Sequence, residues 1–268
     1  MTGELQDSAA QIAEVCSQSG FAYRFDWGPH GLRTLAPGAD VVVVVDVLRF
    51  TTAVCAALEA GCTVLPYRWA DDGAPAFAAA RGALLAGRRE DGELSLSPTD
   101  LLATPPGSRI VLPSPNGSAL SIAARELGAR HLLAGCLRNA TAVAARARQL
   151  AALGTGIVAV VAAGERWHGT TGPIRPAVED LLGAGAVLAA LDPAAAVSQP
   201  GCSPEAAAAR AAFVAARPRL HEALIASGSG RELLQCGWAD DVAVAAAHDV
   251  THVVPELVGD EFVDRRTG

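Results

Sequence analysis

Five consecutive valines, Val41 to Val45, run directly into Asp46. A stretch that is apolar and β-branched at every position suits a strand buried on both faces of a parallel sheet. Asp46 then stands where open α/β sheets bind their ligands, beyond the carboxyl end of a strand. Thr51 or Thr52 can cap a helix reaching about Ala60, and Gly61 suits its left-handed end. A second apolar run, Cys62-Thr63-Val64-Leu65-Pro66, completes a βαβ unit.

The alternation continues down the chain. The pattern predicts a helix from Ala74 to Ala86, a strand from Ser108 to Leu112 and a helix from Ser118 to Leu127. It then predicts a strand from His131 to Ala134, a helix from Thr141 to Leu153, a strand from Gly156 to Ala162 and a helix from Ala177 to Leu191. Asp192 to Pro204, with Pro193, Pro200 and Gly201, reads as a loop. Glu205 to Ala226 reads as helical with an interruption near Pro218, and Ala243 to Ala247 followed by His252-Val253-Val254-Pro255 closes the chain. This order predicts an α/β fold of three layers, α/β/α, around a mainly parallel or mixed sheet. It divides into an N-terminal segment (1–36), a first α/β half (37–150) and a second α/β half (151–268), and two similar halves fit the pattern.

Composition removes several function classes. The net charge of −7 argues against a broad nucleic-acid surface, which needs a basic face. All 21 basic residues are Arg, so a Schiff-base lysine, a pyridoxal-phosphate lysine and the lysine of a Walker phosphate loop are excluded. The six cysteines are scattered and form no C-x-x-C pair, and the six histidines show no ligand spacing, which leaves neither a zinc site nor a disulfide framework to expect. Glu4 and Asp7 stand where a secretory signal would be basic and then apolar, and no charge-free apolar stretch reaches the ~20 residues of a bilayer span. The expectation is a cytoplasmic protein without a membrane partner.

Four polar interruptions follow buried runs. Asp46-Val47-Leu48-Arg49-Phe50-Thr51-Thr52 offers a carboxylate for a divalent cation, and an Arg and hydroxyls at a helix start for a phosphate. The plainer reading is that Asp46 satisfies loop amides and Thr51 caps. Ser114-Pro115-Asn116-Gly117-Ser118 can aim backbone N–H groups at an anion, although Asn-Gly is also a common tight turn. Ala163-Gly164-Glu165, with Glu179-Asp180 at a downstream helix start, would give the oxygen-rich site Mg²⁺ prefers, while acids in a first turn also serve the helix dipole. Ser227-Gly228-Ser229-Gly230-Arg231-Glu232 forms a hydroxyl-rich turn, with Asp240-Asp241 soon after.

Taken in order, these motifs together with Leu137-Arg138-Asn139-Ala140, Val178-Glu179-Asp180, Gly230-Arg231-Glu232-Leu233 and Asp240-Asp241-Val242 resemble the 2-phosphosulfolactate phosphatase family, the ComB-like proteins. The resemblance runs from about Asp40 to Pro255. It implies a Mg²⁺-dependent phosphatase hydrolysing 2-phospho-3-sulfolactate to sulfolactate and phosphate, a step toward coenzyme M. It makes Asp46, Arg49 and Glu165 the catalytic candidates, with Glu165 orienting or deprotonating the attacking water. Thr51, Thr52, Asn116, Gly117, Ser118, Asn139 and Arg231 become the phosphate or sulfonate holders, and Asp46, Glu179 and Asp180 the metal ligands. The implied partner is a small anionic phosphorylated substrate, and a homodimer is compatible. One region departs from the family pattern: Gly87-Arg88-Arg89-Glu90 and Glu93-Leu94-Ser95-Leu96-Ser97-Pro98 carry Arg88 in place of a Glu and lack an Asn before Ser97.

Two alternatives stay open at this stage. Asp46 could act as a nucleophile through an aspartyl-phosphate, although Val47-Leu48 supply no second Asp two positions on. The chain could instead be a non-catalytic anion-binding or regulatory protein on the same scaffold.

Overall fold

The computed structural model describes residues 12, 14–69, 71–89, 94–167, 172–193 and 201–266. Glu4, Asp7, Glu90, Glu93, His168 and residues 194–200 of the expected 192–204 loop lie outside the described residues. In chain order the first half runs β1 (Tyr23–Trp27), α1 (Gly28–Leu35), β2 (Val41–Val45), α2 (Phe50–Glu59), β3 (Thr63–Tyr67), α3 (Ala74–Ala79), β4 (Leu84–Leu85) and α4 (Pro98–Leu102). Next come β5 (Arg109–Pro113), α5 (Gly117–Glu126), β6 (His131–Gly135), α6 (Ala140–Ala151), β7 (Val158–Ala162), β8 (Glu165–Arg166) and β9 (Ile174–Arg175). The chain then forms α7 (Val178–Leu191), α8 (Pro204–Ala216), α9 (Leu220–Ala226), α10 (Gly228–Gln235), α11 (Ala239–Ala246), β10 (Pro255–Val258) and β11 (Glu261–Asp264).

Nine strands form one sheet in the order β1-β7-β2-β6-β10-β11-β3-β5-β4, while β8 and β9 make a separate small ribbon. β7 lies between β1 and β2, so strands from both sides of residue 150 share that sheet. β1, β7, β2 and β6 are mutually parallel, as are β3, β5 and β4. The hairpin of β10 and β11 joins the two groups through antiparallel pairings only. Three reversals between β6 and β3 set the groups in opposite nominal senses. A twist of roughly 20–25° per strand pair is typical of such sheets, and four pairings separate β2 from β3.

The valine run is the axis of the core. Val41, Val43 and Val45 pack with Val143 and Ala147 of α6 and with Val187 and Leu188 of α7. Val42 and Val44 face the other way, against Leu32 of α1 and against Leu120 and Ala124 of α5. Helices therefore cover both faces, giving the expected three-layer α/β/α arrangement, and each buried valine contributes about 1.5 kcal/mol of apolar burial. Gly183 lets α7 approach closely, because a Cβ there would stand 2.9 Å from Val45 Cγ1.

Some boundaries differ from the sequence expectation. The helix from Ala74 stops at Ala79, because Gly82 turns left-handed at φ +58° and the chain re-enters the sheet as β4. Neither Thr51 nor Thr52 caps α2; the helix begins at Phe50, with Arg49 at the cap position and no side-chain cap bond. Gly61 does take the left-handed conformation, at φ +81°. Ala243 to Ala246 lie in α11, and the segment from Pro255 forms a hairpin of β10 and β11. The two-residue Gly259-Asp260 turn, set between the apolar pairs Leu257-Val258 and Phe262-Val263, is the hairpin signal in the sequence.

Candidate active site

The site is built from the turn that leaves β2. Asp46 Oδ1 accepts the N–H of Phe50 at 3.2 Å, and Oδ2 accepts the N–H of Gly117 at 2.8 Å. One carboxylate thus ties the first turn of α2 to the first turn of α5. Gly117 is needed for this approach: a Cβ there would stand 2.7 Å from Asp46 Oδ2 and would overlap the Phe50 ring.

A second buried carboxylate repeats the arrangement one strand away. Asp180 Oδ1 accepts the N–H of Val47 at 2.7 Å, and Oδ2 accepts the N–H of Gly164 at 2.9 Å. The first turn of α7 is thereby bound to the exits of β2 and β7. Gly164 adopts φ +66°, which allows the chain to reverse into Glu165. Glu165 Oε1 in turn accepts the Asn116 side-chain amide at 3.0 Å and the Arg166 N–H at 2.9 Å. Glu179 is buried beside them, and its Oε2 has no hydrogen-bond partner among the described residues.

Two of these acids are pushed upward by burial and by the charges of the others. Burial, and then the charges of Glu165 and Glu179, push the Asp46 carboxyl up to about 7. Burial, and then the charges of Asp46 and Glu179, raise Asp180 well above the usual carboxylate range. Such a cluster of negative oxygens, ion-paired with no Arg or His among the described residues, has the donor chemistry of a hard divalent ion. Among the described residues, no three His, Cys, Asp or Glu side chains are already gathered into a metal cage. Mg²⁺ does not require one, since it keeps several waters and is commonly held by one or two carboxylates together with substrate phosphate. The orphaned Glu179 Oε2 and the all-oxygen donor set therefore fit it.

This geometry sits inside a stretch of chain with known relatives. The profile of the 2-phosphosulpholactate phosphatase family matches residues 31–260, which takes in every residue of the cluster. The chain belongs to this family. A Thermus thermophilus protein named as a probable 2-phosphosulfolactate phosphatase is 32% identical over 237 residues, covering 85% of this chain and 93% of the relative. The 2-phosphosulfolactate phosphatase of Methanothermobacter thermautotrophicus is 31% identical over 222 residues, 81% of this chain and 87% of its own length. A probable member from Deinococcus radiodurans is 32% identical over 237 residues, covering 83% and 90%. As a member of this phosphatase family, the chain is a phosphoric monoester hydrolase.

Within this phosphatase, the sequence-predicted residues separate into two sets. Asp46, Asn116, Gly117, Glu165, Glu179 and Asp180 come together as described. Thr51 and Thr52 are fully buried, and their hydroxyls donate to the carbonyl oxygens of Asp46 at 2.8 Å and Val47 at 2.7 Å. Ser118 is fully buried and donates to Leu112 O at 2.7 Å. Asn139 accepts the Cys136 N–H at 2.9 Å and donates to Val253 O at 3.2 Å, which ties the exit of β6 to the approach to β10. Arg231 is exposed on α10, away from the carboxylates' bonded network. Arg49 leaves the same turn as Asp46, but its guanidinium reaches Asp241 Oδ2 at 3.1 Å. Arg89 and Ser97, which bond that Asp241, enter the sequence reading only within the 87–98 segment that departs from the family pattern, and Trp238, beside the Arg49 and Arg89 guanidinium groups, escapes it.

Proposed function

We propose that this phosphatase hydrolyses 2-phospho-3-sulfolactate to sulfolactate and phosphate with Mg²⁺ at the cluster of Asp46, Glu179 and Asp180, held by one or two of these carboxylates together with waters and the substrate phosphate. The substrate assignment rests on the names of relatives that align over most of their length. The observation that carries the metal assignment is the unpartnered Glu179 Oε2, buried among the acids around Asp46. Bound there, the ion supplies positive charge against the phosphoryl oxygens, where charge develops in the transition state.

The chain's own residues supply the rest. Glu165 is fixed through Oε1 by two donors, and no donor among the described residues occupies its other oxygen. That oxygen is suited to orient a water in line with the phosphorus and to take its proton. Arg49 adds a permanent cation at the same turn for the phosphoryl oxygens. Uncatalysed monoester hydrolysis is so slow that charge stabilisation has to supply most of the acceleration, which fits a site of acids, a cation and Arg. Asp46 has both oxygens on backbone amides, which favours a holding role over nucleophilic attack.

A reducing cytoplasmic setting fits the six free thiols, and no helix among the described residues is long and apolar enough to cross a membrane. The experiment is phosphate release from 2-phospho-3-sulfolactate with Mg²⁺ and with EDTA. Mg²⁺-dependent release supports the reading; release undiminished after metal removal contradicts the metal assignment, and no release contradicts the substrate.

A further inference from the structure

The carboxylate cluster has a positively charged neighbour on the other side of the β2 turn. A cavity of about 600 Å³ opens there, lined by Arg49, Arg88, Arg89, Ser95, Leu96 and Trp238. Beneath it lies Asp241, whose side chain is fully buried. Asp241 Oδ2 accepts from Arg49 Nη1 at 3.1 Å and from Arg89 Nη1 at 3.0 Å. Its Oδ1 accepts from Ser97 Oγ at 2.5 Å and from Thr99 Oγ1 at 3.2 Å. The Arg49 and Arg89 guanidinium groups also stand 4.9 and 5.6 Å from the centre of the Trp238 ring.

This is a prepared cationic surface. Asp241 anchors two guanidinium groups, Arg89 also stands 3.8 Å from Asp100 Oδ1, and Arg88 adds a third cation at the rim, so among the described residues three arginines face two carboxylates. Each arginine has five N–H donors, so most remain available to a ligand after the Asp241 contact. Holding them against Trp238 and Asp241 removes much of the side-chain entropy that binding would otherwise cost. Planar guanidinium forks match oxyanions of acid groups in a bidentate way.

We infer that this cleft binds the acidic group of the substrate that is not transferred, a sulfonate or carboxylate, and that Arg88 and Arg89 make the enzyme select doubly anionic phosphomonoesters over simple ones. The inference rests on the phosphatase reading above and extends it to specificity. Arg49 joins the two regions. It precedes Phe50, whose N–H lies on Asp46 Oδ1 at 3.2 Å, so bond lengths place the Arg49 Cα within about 6 Å of that carboxylate. Asp241 acts here as a positioning residue, since it touches the arginines and not the ligand.

The test compares wild type with Arg88→Ala, Arg89→Ala and Arg89→Lys. Two quantities are measured: the ratio of kcat/KM for 2-phospho-3-sulfolactate to that for p-nitrophenyl phosphate, and the calorimetric affinity for 3-sulfolactate alone. The cleft predicts that Arg89→Ala lowers the ratio by about 30-fold, mainly through KM. It also predicts weaker sulfolactate binding in parallel, a smaller loss in Arg88→Ala and partial recovery in Arg89→Lys. A ratio and an affinity within twofold of wild type in both alanine variants overturns it, as does an equal loss of kcat on both esters or a wild type that does not bind sulfolactate. Sulfolactate binding that depends on Arg89, in a protein that releases no phosphate, keeps the cleft and removes the hydrolase reading. Normal turnover with an unchanged ratio does the reverse.

Discussion

Gly117 gives its backbone N–H to Asp46 Oδ2 across 2.8 Å, although the two residues lie 71 positions apart. They also follow strands of opposite nominal sense. The contact brings the exits of β2 and β5 to one point, although the β10–β11 hairpin stands between their two parallel groups in the sheet. It places two helix N-termini, α2 and α5, against a single carboxylate, and the other acids gather around it.

Gly117→Ala tests that junction. The added methyl meets the Phe50 ring and the Asp46 carboxylate, and overpacking of this kind costs about 1–3 kcal/mol. Displacing Asp46 by a fraction of an ångström should also lower kcat by about 100-fold. Urea melts and steady-state turnover measure the two effects; a variant equal to wild type in both would show that the close approach is incidental.

The acids also set a pH dependence for the metal-free protein. Asp46 titrates near 7 when folded and near 3.8 when unfolded. The folded state therefore holds the proton more tightly, so this contribution to stability is fully present below pH ~4 and is lost as pH rises through about 7. Asp180 is raised too and acts in the same sense. In EDTA the melting temperature should fall from pH 5 to pH 8, and Mg²⁺ should restore more of it at pH 8 than at pH 5. A flat EDTA profile, or equal stabilisation by Mg²⁺ at both values, contradicts this.

Glu179 carries the unpartnered buried oxygen. Glu179→Gln removes its charge at nearly constant shape, so the Mg²⁺ concentration for half-maximal activity should rise about tenfold or more. The metal-free variant should melt above wild type at pH 8, because a buried like charge is gone. Magnesium titrations of activity and melts in EDTA check both directions, and unchanged Mg²⁺ dependence would exclude Glu179 as a ligand.

Asn116 holds Glu165 by a 3.0 Å bond. Asn116→Ala should leave stability within about 1 kcal/mol while lowering kcat more than it changes KM, because the base loses its orientation and not its substrate. Stopped-assay kinetics settle the split; a loss confined to KM would place Asn116 on the substrate instead.

The sequence exposed the parts of this design that are local. Val41–Val45 are buried on both faces, as an all-apolar strand must be, and Asp46 at its exit stands at the centre of the site. Glu165 was likewise legible as a polar break after a buried run, and Glu179-Asp180 as acids in the first turn of the next helix. Pairings across long separations were not. Ser97 and Arg89 meet Asp241 from 144 and 152 positions away, and no local pattern encodes such a meeting. β1, Tyr23-Arg24-Phe25-Asp26-Trp27, was hidden because its charged residues interrupt the apolar signal at the sheet edge. Thr51 and Thr52 illustrate the opposite error: their place at a helix start reads as capping or phosphate binding, yet both hydroxyls serve backbone carbonyls inside the turn.

The most direct measurement is the turnover number of Asp46→Asn on 2-phospho-3-sulfolactate at saturating Mg²⁺, with circular dichroism to verify the fold. An Asp46-centred cluster predicts a folded protein whose kcat falls by about 100- to 1,000-fold. A folded Asp46→Asn enzyme with near-wild-type kcat would contradict it and move the chemistry elsewhere on the sheet.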